Sequence, residues 1–341
     1  RKWYGNREYI VNWFNDGYEM QHILHPDGKR IWAHNFNLEY NFLPHITWTD
    51  LTSGHLAFRV FEEGFLFDSS AAVAFTDYPF ESLIGYLNTN LVDIISDILN
   101  PTMHFKLGDY DNIPFPAIKS EPGNYISQYN ISISKLDWDS FESSWDFSIH
   151  PLLDEKIGKR EDVAFEKDSE LIDYLGEDKY NEIFNNEIKA CAPIEFAYLR
   201  YKDWANKAFF HLKKNEEDLN RIFIDIYGLN DELKPEEDDS MVSVHRIFDD
   251  KSEIPESMKK GQYALTKEEV IKSFVSYVVG CMFGRYDAER PGLAFAGGTF
   301  DISSYSGFVP DSNNVIPVLG DSWFKNDAET YFIKFVEKAF G

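Results

Sequence analysis

The spacing of apolar residues changes along this chain, and that change limits the folds open to it. Through the first third, short β-rich runs are punctuated by turn residues. Tyr9, Val11 and Trp13 alternate with polar neighbours, and Pro26-Asp27-Gly28-Lys29 is a turn signal. Ile46, Trp48 and Leu51 suggest a strand. Phe58, Val60 and Phe61, then Phe65, Leu66 and Phe67, predict a strand pair turning at Glu63-Gly64. Over 80–99 the period becomes helical: Leu83, Ile84, Leu87, Leu91, Ile94, Ile95, Ile98 and Leu99 predict one amphipathic helix, ended by Asn100-Pro101.

A boundary is expected at Lys119-Ser120-Glu121-Pro122-Gly123-Asn124. From about 137 to 233 the pattern is mainly helical and heavily charged. A long helix is expected over 195–227, with Ala205, Ala208, Phe209, Leu212, Leu219, Ile222, Phe223 and Ile226 as its apolar stripe and Gly228 as its stop. Residues 234–262, acidic and Pro-bearing, read as a connector or exposed loop. Thr266 and Glu269 form a capping box for a helix carrying Val270, Ile271, Phe274, Val275, Val278, Val279, Met282 and Phe283 and ending at Gly284. A last helix is expected over 327–340. The fold class is therefore α+β: a mixed α/β domain over 1–118, a helical, charge-rich domain over 119–235 and a C-terminal helical extension over 236–341.

Charge narrows the function. The chain of 341 residues carries 33 Lys+Arg against 58 Asp+Glu, a net charge of −25. Residues 1–118 hold 7 Lys+Arg and 15 Asp+Glu. A general polyanion binder is disfavoured, and any contact with nucleic acid needs a local basic or neutral face. Two cysteines, Cys191 and Cys281, lie far apart among apolar residues, so neither a disulfide framework nor a zinc site is implied and a cytoplasmic setting is expected. No apolar run approaches the length of a membrane span, so no membrane partner is expected. The chain opens on Arg1 inside structured-looking sequence, which reads as a piece of a longer protein.

Reaction chemistry finds little support. His22 and His25 have ligand-like spacing, but no carboxylate or Cys pair completes a set. Glu187-Ile188-Lys189 and Glu232-Leu233-Lys234 match the tripeptide of metal-dependent nucleases, yet both fall in helical, charge-rich sequence. Gly297-Gly298 fits a tight turn and matches no phosphate-binding fingerprint. No Gly-x-Ser-x-Gly elbow occurs.

Recognition remains. Thr47, Thr49, Thr52, Ser53, His55 and Arg59 crowd one segment around Trp48. Lys2, Trp3, Tyr4, Asn6 and Arg7 mix cations with aromatic faces, and Asn100, Thr102, His104, Phe105 and Lys106 form a third polar-aromatic loop. Hydroxyls bond phosphates or base edges, and Arg clasps guanine. On residues alone, ordinary loops around a core Trp are the favoured reading of these three segments.

Longer blocks carry a resemblance. WYGNREYIVNW, NFLPHITWTDLTSGHLAFRVFEEGFLFD and ILNPTMHFKLGDYDNIPFP resemble the target-recognition region of large single-chain adenine-specific DNA methyltransferases, the type IIG restriction-modification enzymes and, closer still, the PglX family of BREX phage defence. ISISKLDWDSFESSWDFSIHPLL, KKNEEDLNRIFIDIYGLNDEL and VSYVVGCMFGRYDAERPGLAFAGG resemble that family's helical region and C-terminal extension. The resemblance implies a target-recognition domain over 1–118, double-stranded DNA as partner and other phage-defence proteins as a second class of partner. It implies DNA-binding residues within the matching segments, chosen here by chemistry: Lys2, Tyr4, Arg7, Thr49, Thr52, Ser53, Arg59, Thr102 and Lys106. The family's Asn-Pro-Pro-aromatic motif and its S-adenosylmethionine loop have no counterpart in these residues. No catalytic residue, metal or cofactor is therefore expected in this stretch, with S-adenosylmethionine and methyl transfer assigned to a preceding catalytic domain. Alone, the chain is expected to bind duplex weakly and to be catalytically inactive. The alternative is a protein-interaction module that docks defence-complex partners through its acidic helices.

Overall fold

A computed structural model describes the chain except for residues 34, 35, 53, 116–121, 155, 156, 158–167, 185–191, 260, 320–323, 325 and 326. The chain divides into two compact units, Arg1–Glu121 and Pro122–Gly341. It is mixed α and β, with its helices concentrated in the second unit.

The first unit is organised by one short strand. β1 (His45–Thr49) is buried from His45 to Trp48 and pairs antiparallel on both sides, with β2 (Arg59–Phe61) and β3 (Ala71–Ala74), in the order β2-β1-β3. Ile46 faces Val60 on one side and Ala74 on the other. The N-terminal residues extend the sheet, since Trp3 N–H donates to Phe58 O at 2.8 Å and Val60 N–H donates to Trp3 O at 3.1 Å. Trp3, Ile46, Trp48 and Phe58 fill the core with Ile84, Tyr86, Leu91 and Val92. Such large side chains supply most of the apolar area buried in a unit of this size.

Several expectations are corrected. The single helix over 80–99 is two helices, α2 (Phe80–Leu87) and α3 (Asn90–Leu99). Asn88 leaves the helix because its side chain clamps the backbone of Phe58: Phe58 N–H donates to its Oδ1 at 2.9 Å, and its Nδ2 donates to Phe58 O at 3.0 Å. Thr89 then caps α3 by accepting from Val92 N–H. The break turns Ile94, Ile98 and Leu99 toward solvent. Phe65–Phe67 form no strand with β2. Phe65 packs edge-on against Phe61 at 4.7 Å, its carbonyl accepts from Phe42 N–H, and a turn at Asp68 leads into β3. Tyr9, Val11 and Trp13 also form no strand. A distorted helix α1 (Phe14–His22) follows them, with left-handed backbone at Asn15, Asp16 and Gly17. At Gly17 a Cβ would lie 2.8 Å from the Trp13 ring, so both the positive φ and the close approach require glycine.

The second unit is built on the long helix α8 (Pro193–Tyr227), closed by Gly228 in the left-handed region as the sequence predicts. Ala205, Ala208, Phe209, Leu212, Leu219 and Phe223 are buried, while Ile226 is exposed and Tyr198, Tyr201 and Trp204 extend the buried face. Helix α5 (Pro122–Trp138) lies against α8, where Asn215 Nδ2 donates to Asn130 Oδ1 at 2.8 Å. Two further helices, α6 (Asp168–Leu175) and α7 (Glu177–Phe184), complete this part.

The expected connector over 234–262 is instead integral to the unit. Its strand β4 (Arg246–Phe248) packs on α8 and pairs in parallel with β5 (Ala264–Thr266), and Ile247 N–H donates to Asn206 Oδ1 at 2.9 Å. The Thr266–Glu269 capping box opens α9 (Lys267–Met282). On α9 the buried stripe is Val270, Phe274, Tyr277, Val278, Cys281 and Met282, rotated from the predicted one, so Val275, Val279 and Phe283 are exposed. Helix α10 (Ala328–Phe340) brings Phe335 against Phe274 and Tyr277.

Candidate nucleic-acid interface

Backbone pairing joins the polar segments picked out in the sequence. Beyond β1 the chain bridges to the loop after α3: Thr52 N–H donates to Met103 O at 2.9 Å and Phe105 N–H donates to Asp50 O at 2.8 Å. Trp48 Nε1 donates to Phe105 O at 2.9 Å, and its ring stacks on Tyr110 at 4.8 Å. Trp48 and Phe105 are thus packing residues whose role is to hold the two loops side by side. A short helix, α4 (Leu107–Tyr110), follows; Asp109 closes it by accepting from Lys106 N–H at 2.8 Å.

The nine predicted contact residues separate by burial. Lys2, Tyr4, Arg7 and Arg59 are buried. Arg7 donates to Glu62 Oε1 at 2.6 Å and to Val60 O at 2.7 Å, and its guanidinium lies 3.7 Å from the Tyr4 ring centroid. Arg59 is directed to Thr49 Oγ1 at 2.8 Å, with the Arg1 and Ala57 carbonyls nearby. These guanidiniums tie β2 to its neighbours through charge-assisted bonds. Thr49, Thr102 and Lys106 face solvent, and Thr52 is half-buried, its Oγ1 accepting from Gly54 N–H at 3.1 Å. Thr102 Oγ1 donates to Asn100 Oδ1 at 2.7 Å. Ser53 lies outside the described residues.

Two histidines of these segments, not among the nine chosen contact residues, are each paired with a carboxylate. His55 Nδ1 lies 2.5 Å from Asp93 Oδ2, and His104 Nδ1 lies 3.4 Å from Asp50 Oδ1. Each carboxylate holds its imidazole through Nδ1. His45, by contrast, is inside: its Nδ1–H donates to Leu43 O at 2.8 Å, and burial holds its pKa below the usual histidine value, with Arg7 adding to the effect. No local pattern announces these His–Asp pairs, because the partners are 38 and 54 residues apart.

Among the described residues no group of three or more His, Cys, Asp or Glu is placed to hold a metal ion. Glu187, Lys189 and Cys191 lie outside the described residues. Cys281 is buried, and burial pushes its thiol up to about 12, which makes it unreactive at neutral pH. A cavity of about 80 Å³ beside α5 is lined by three aspartates, two serines and an apolar set that includes Leu136, Ile149 and Trp204. This cavity is too small for a nucleoside cofactor, since ordinary ligand sites hold about 300 Å³ or more. No described helix is long and apolar enough to cross a membrane.

Comparison by sequence points to the class that the motifs suggest, adenine-specific methyltransferases. No family model matches the chain. It is similar to the adenine-specific methyltransferase PglX of Lacticaseibacillus casei (strain Zhang), 36% identical over 345 residues, covering all of this chain and 25% of that protein. It is also similar to the adenine-specific methyltransferase BrxX of Escherichia coli O9:H4 (strain HS), 25% identical over 353 residues, again covering all of this chain and 25% of that protein. The chain thus spans about a quarter of the length of the curated relatives it matches, and the resemblance seen in its motifs holds from end to end.

Proposed function

We propose that this chain is the sequence-reading part of an S-adenosylmethionine-dependent adenine-N6 DNA methyltransferase of phage defence, and that methyl transfer takes place in another part of the parent protein. The observation that supports this most directly is the pairing of residues 50–52 with 103–105, which brings the segments bearing Thr52, Thr102, His104 and Lys106 together beyond the end of β1. Similarity over all of this chain, and a quarter of each relative, to two adenine-specific methyltransferases supports the reaction class.

In this reading, side chains from the two loops meet base edges in the major groove, and hydroxyls and Lys106 set the register on the phosphates. The adenine chosen is flipped out of the stack and methylated elsewhere. In this reading S-adenosylmethionine and the transfer step belong to another part of the parent protein.

Sequencing of the adenines methylated by the full-length protein tests the proposal. Thr52→Ala with Thr102→Ala and Lys106→Ala should change the methylated motif or reduce methylation about tenfold or more, since a good base contact discriminates by roughly 1–3 kcal/mol. An unchanged motif at unchanged activity removes these loops from the reading.

A second reading has its own support. Val275 and Val279 on α9, with Phe283 just past its end, are exposed apolar residues in a chain of net charge −25. Those features suit docking of another defence protein by the second unit, and such docking is compatible with sequence reading by the first.

A further inference from the structure

The first unit spends most of its cations internally. Of the seven Lys and Arg in residues 1–118, Lys2, Arg7 and Arg59 are buried and Arg1 is half-buried. The exposed ones are Lys29, Arg30 and Lys106. A unit that carries an excess of acid and meets DNA must do so where its cations reach water, and two of those three positions are adjacent.

They sit at the tip of an antiparallel hairpin, residues 23–32. Trp32 N–H donates to Ile23 O at 2.8 Å, His25 N–H donates to Arg30 O at 2.8 Å, and Gly28 N–H closes the turn on His25 O at 2.7 Å. Leu24 and Ile31 are bridge partners. Gly28 has φ +66, which the turn requires. Leu24, Ile31 and Trp32 are all exposed, Trp32 at 58%. Side chains therefore stand in solvent on both strands, as on a projecting ribbon rather than a strand of the core. A two-stranded hairpin of this kind is marginal in water on its own. The carboxylate of the tip is Asp27, which accepts from Lys29 N–H at 2.9 Å, lies 3.0 Å from His25 Nδ1 and reaches Arg30 Nε only at 3.7 Å.

We propose that hairpin 23–32 is a finger that enters a groove of duplex DNA, with Lys29 and Arg30 on phosphates and Trp32 against the sugar or base edges. The proposal rests on the sequence-reading function given above and names a contact element outside the loops assigned there. The dimensions suit it: the major groove admits a two-stranded β-ribbon, and exposed apolar side chains serve as wedges or packing groups in nucleic-acid grooves. Charge complementarity supports a polyanionic partner, because Lys29 and Arg30 present cations at the tip, and the groove dimensions above favour duplex DNA as that partner.

The test is a titration of a fluorescein-labelled 30-base-pair duplex with the 341-residue chain at several salt concentrations. Lys29→Glu with Arg30→Glu should weaken binding about tenfold or more and lower the slope of log K against log salt by about two, one for each lost phosphate contact. Asp27→Asn keeps the turn acceptor and should tighten binding, a gain that misfolding cannot produce. Glu256→Gln, an equal charge change on an exposed side chain of the second unit, should leave affinity unchanged and so separates a local effect from net charge. Wild-type binding with unaltered affinity and slope in the tip variants overturns the finger while sequence reading stands. Failure of the wild-type chain to bind duplex even at about 20 mM salt, where phosphate contacts are strongest, overturns both.

Discussion

His150 shows how a single residue ties burial to pH. It is 2% exposed, Leu152 N–H donates to its Nδ1 at 3.3 Å, and its Nε2 lies 3.0 Å from Ser273 Oγ, which itself donates to Val270 O. With Nδ1 accepting, the ring is neutral and Nε2–H donates. Burial pushes its pKa down to about 3. In the unfolded chain the same ring titrates near the ordinary histidine value of about 6.5. Below that pH the unfolded state binds a proton that the native state refuses, so stability rises with pH through this window and falls on acidification. The contribution is at most about 1.4 kcal/mol per pH unit between those two values. Urea unfolding from pH 7.5 to 4 should show this loss, and His150→Gln should flatten it, at some cost in stability at neutral pH. An equally steep profile in the variant would assign the acid sensitivity to other groups.

At the scale of elements, the break between α2 and α3 is the feature that positions the candidate interface. Asn88 holds β2 through both backbone bonds to Phe58, and the following helix carries Asp93, the partner of His55. Asn88→Ala leaves a buried N–H and a buried carbonyl without that partner and should cost about 2–4 kcal/mol. Thr89→Ala removes only the cap of α3 and should cost about 1 kcal/mol. Chemical denaturation of the isolated first unit ranks the two, and the proposal that Asn88 is the main clamp fails if Thr89→Ala costs as much. The periodicity of 80–99 is legible as helix, but its interruption is not. Leucines and isoleucines continue at helical spacing straight through Asn88-Thr89, and only the distant strand makes leaving the helix favourable. The same holds on α9, where an apolar residue at nearly every helical neighbour position leaves the buried face to be chosen by Phe335 and its surroundings.

At the scale of the whole molecule, two cores follow from two sets of aromatic residues. Trp3, Trp48 and Phe58 centre the first unit, and Phe209, Phe274, Tyr277 and Phe335 lie in the second. Each core has its own large buried side chains, so residues 1–121 and 122–341 expressed separately should each unfold cooperatively, as independent domains do. Scanning calorimetry of the two pieces and of the intact chain measures this. A non-cooperative trace from 122–341 would show that its core needs residues of the first unit.

Where the determinants are local, the sequence by itself was sufficient. The long helix stops at Gly228 because that residue alone tolerates the left-handed backbone without penalty, and α9 starts at Thr266 because Thr266 and Glu269 satisfy each other's backbone groups three residues apart. The α+β class was legible for the same reason. Which cations would meet a ligand was not. Arg7 and Arg59 read as contact residues, yet they are enclosed by Glu62, Val60 and Thr49, whereas Lys29 and Arg30, read only as part of a turn, stand in solvent. A guanidinium is drawn into the interior only when carbonyls and carboxylates from distant segments converge on it, and that convergence exists only once the sheet has formed.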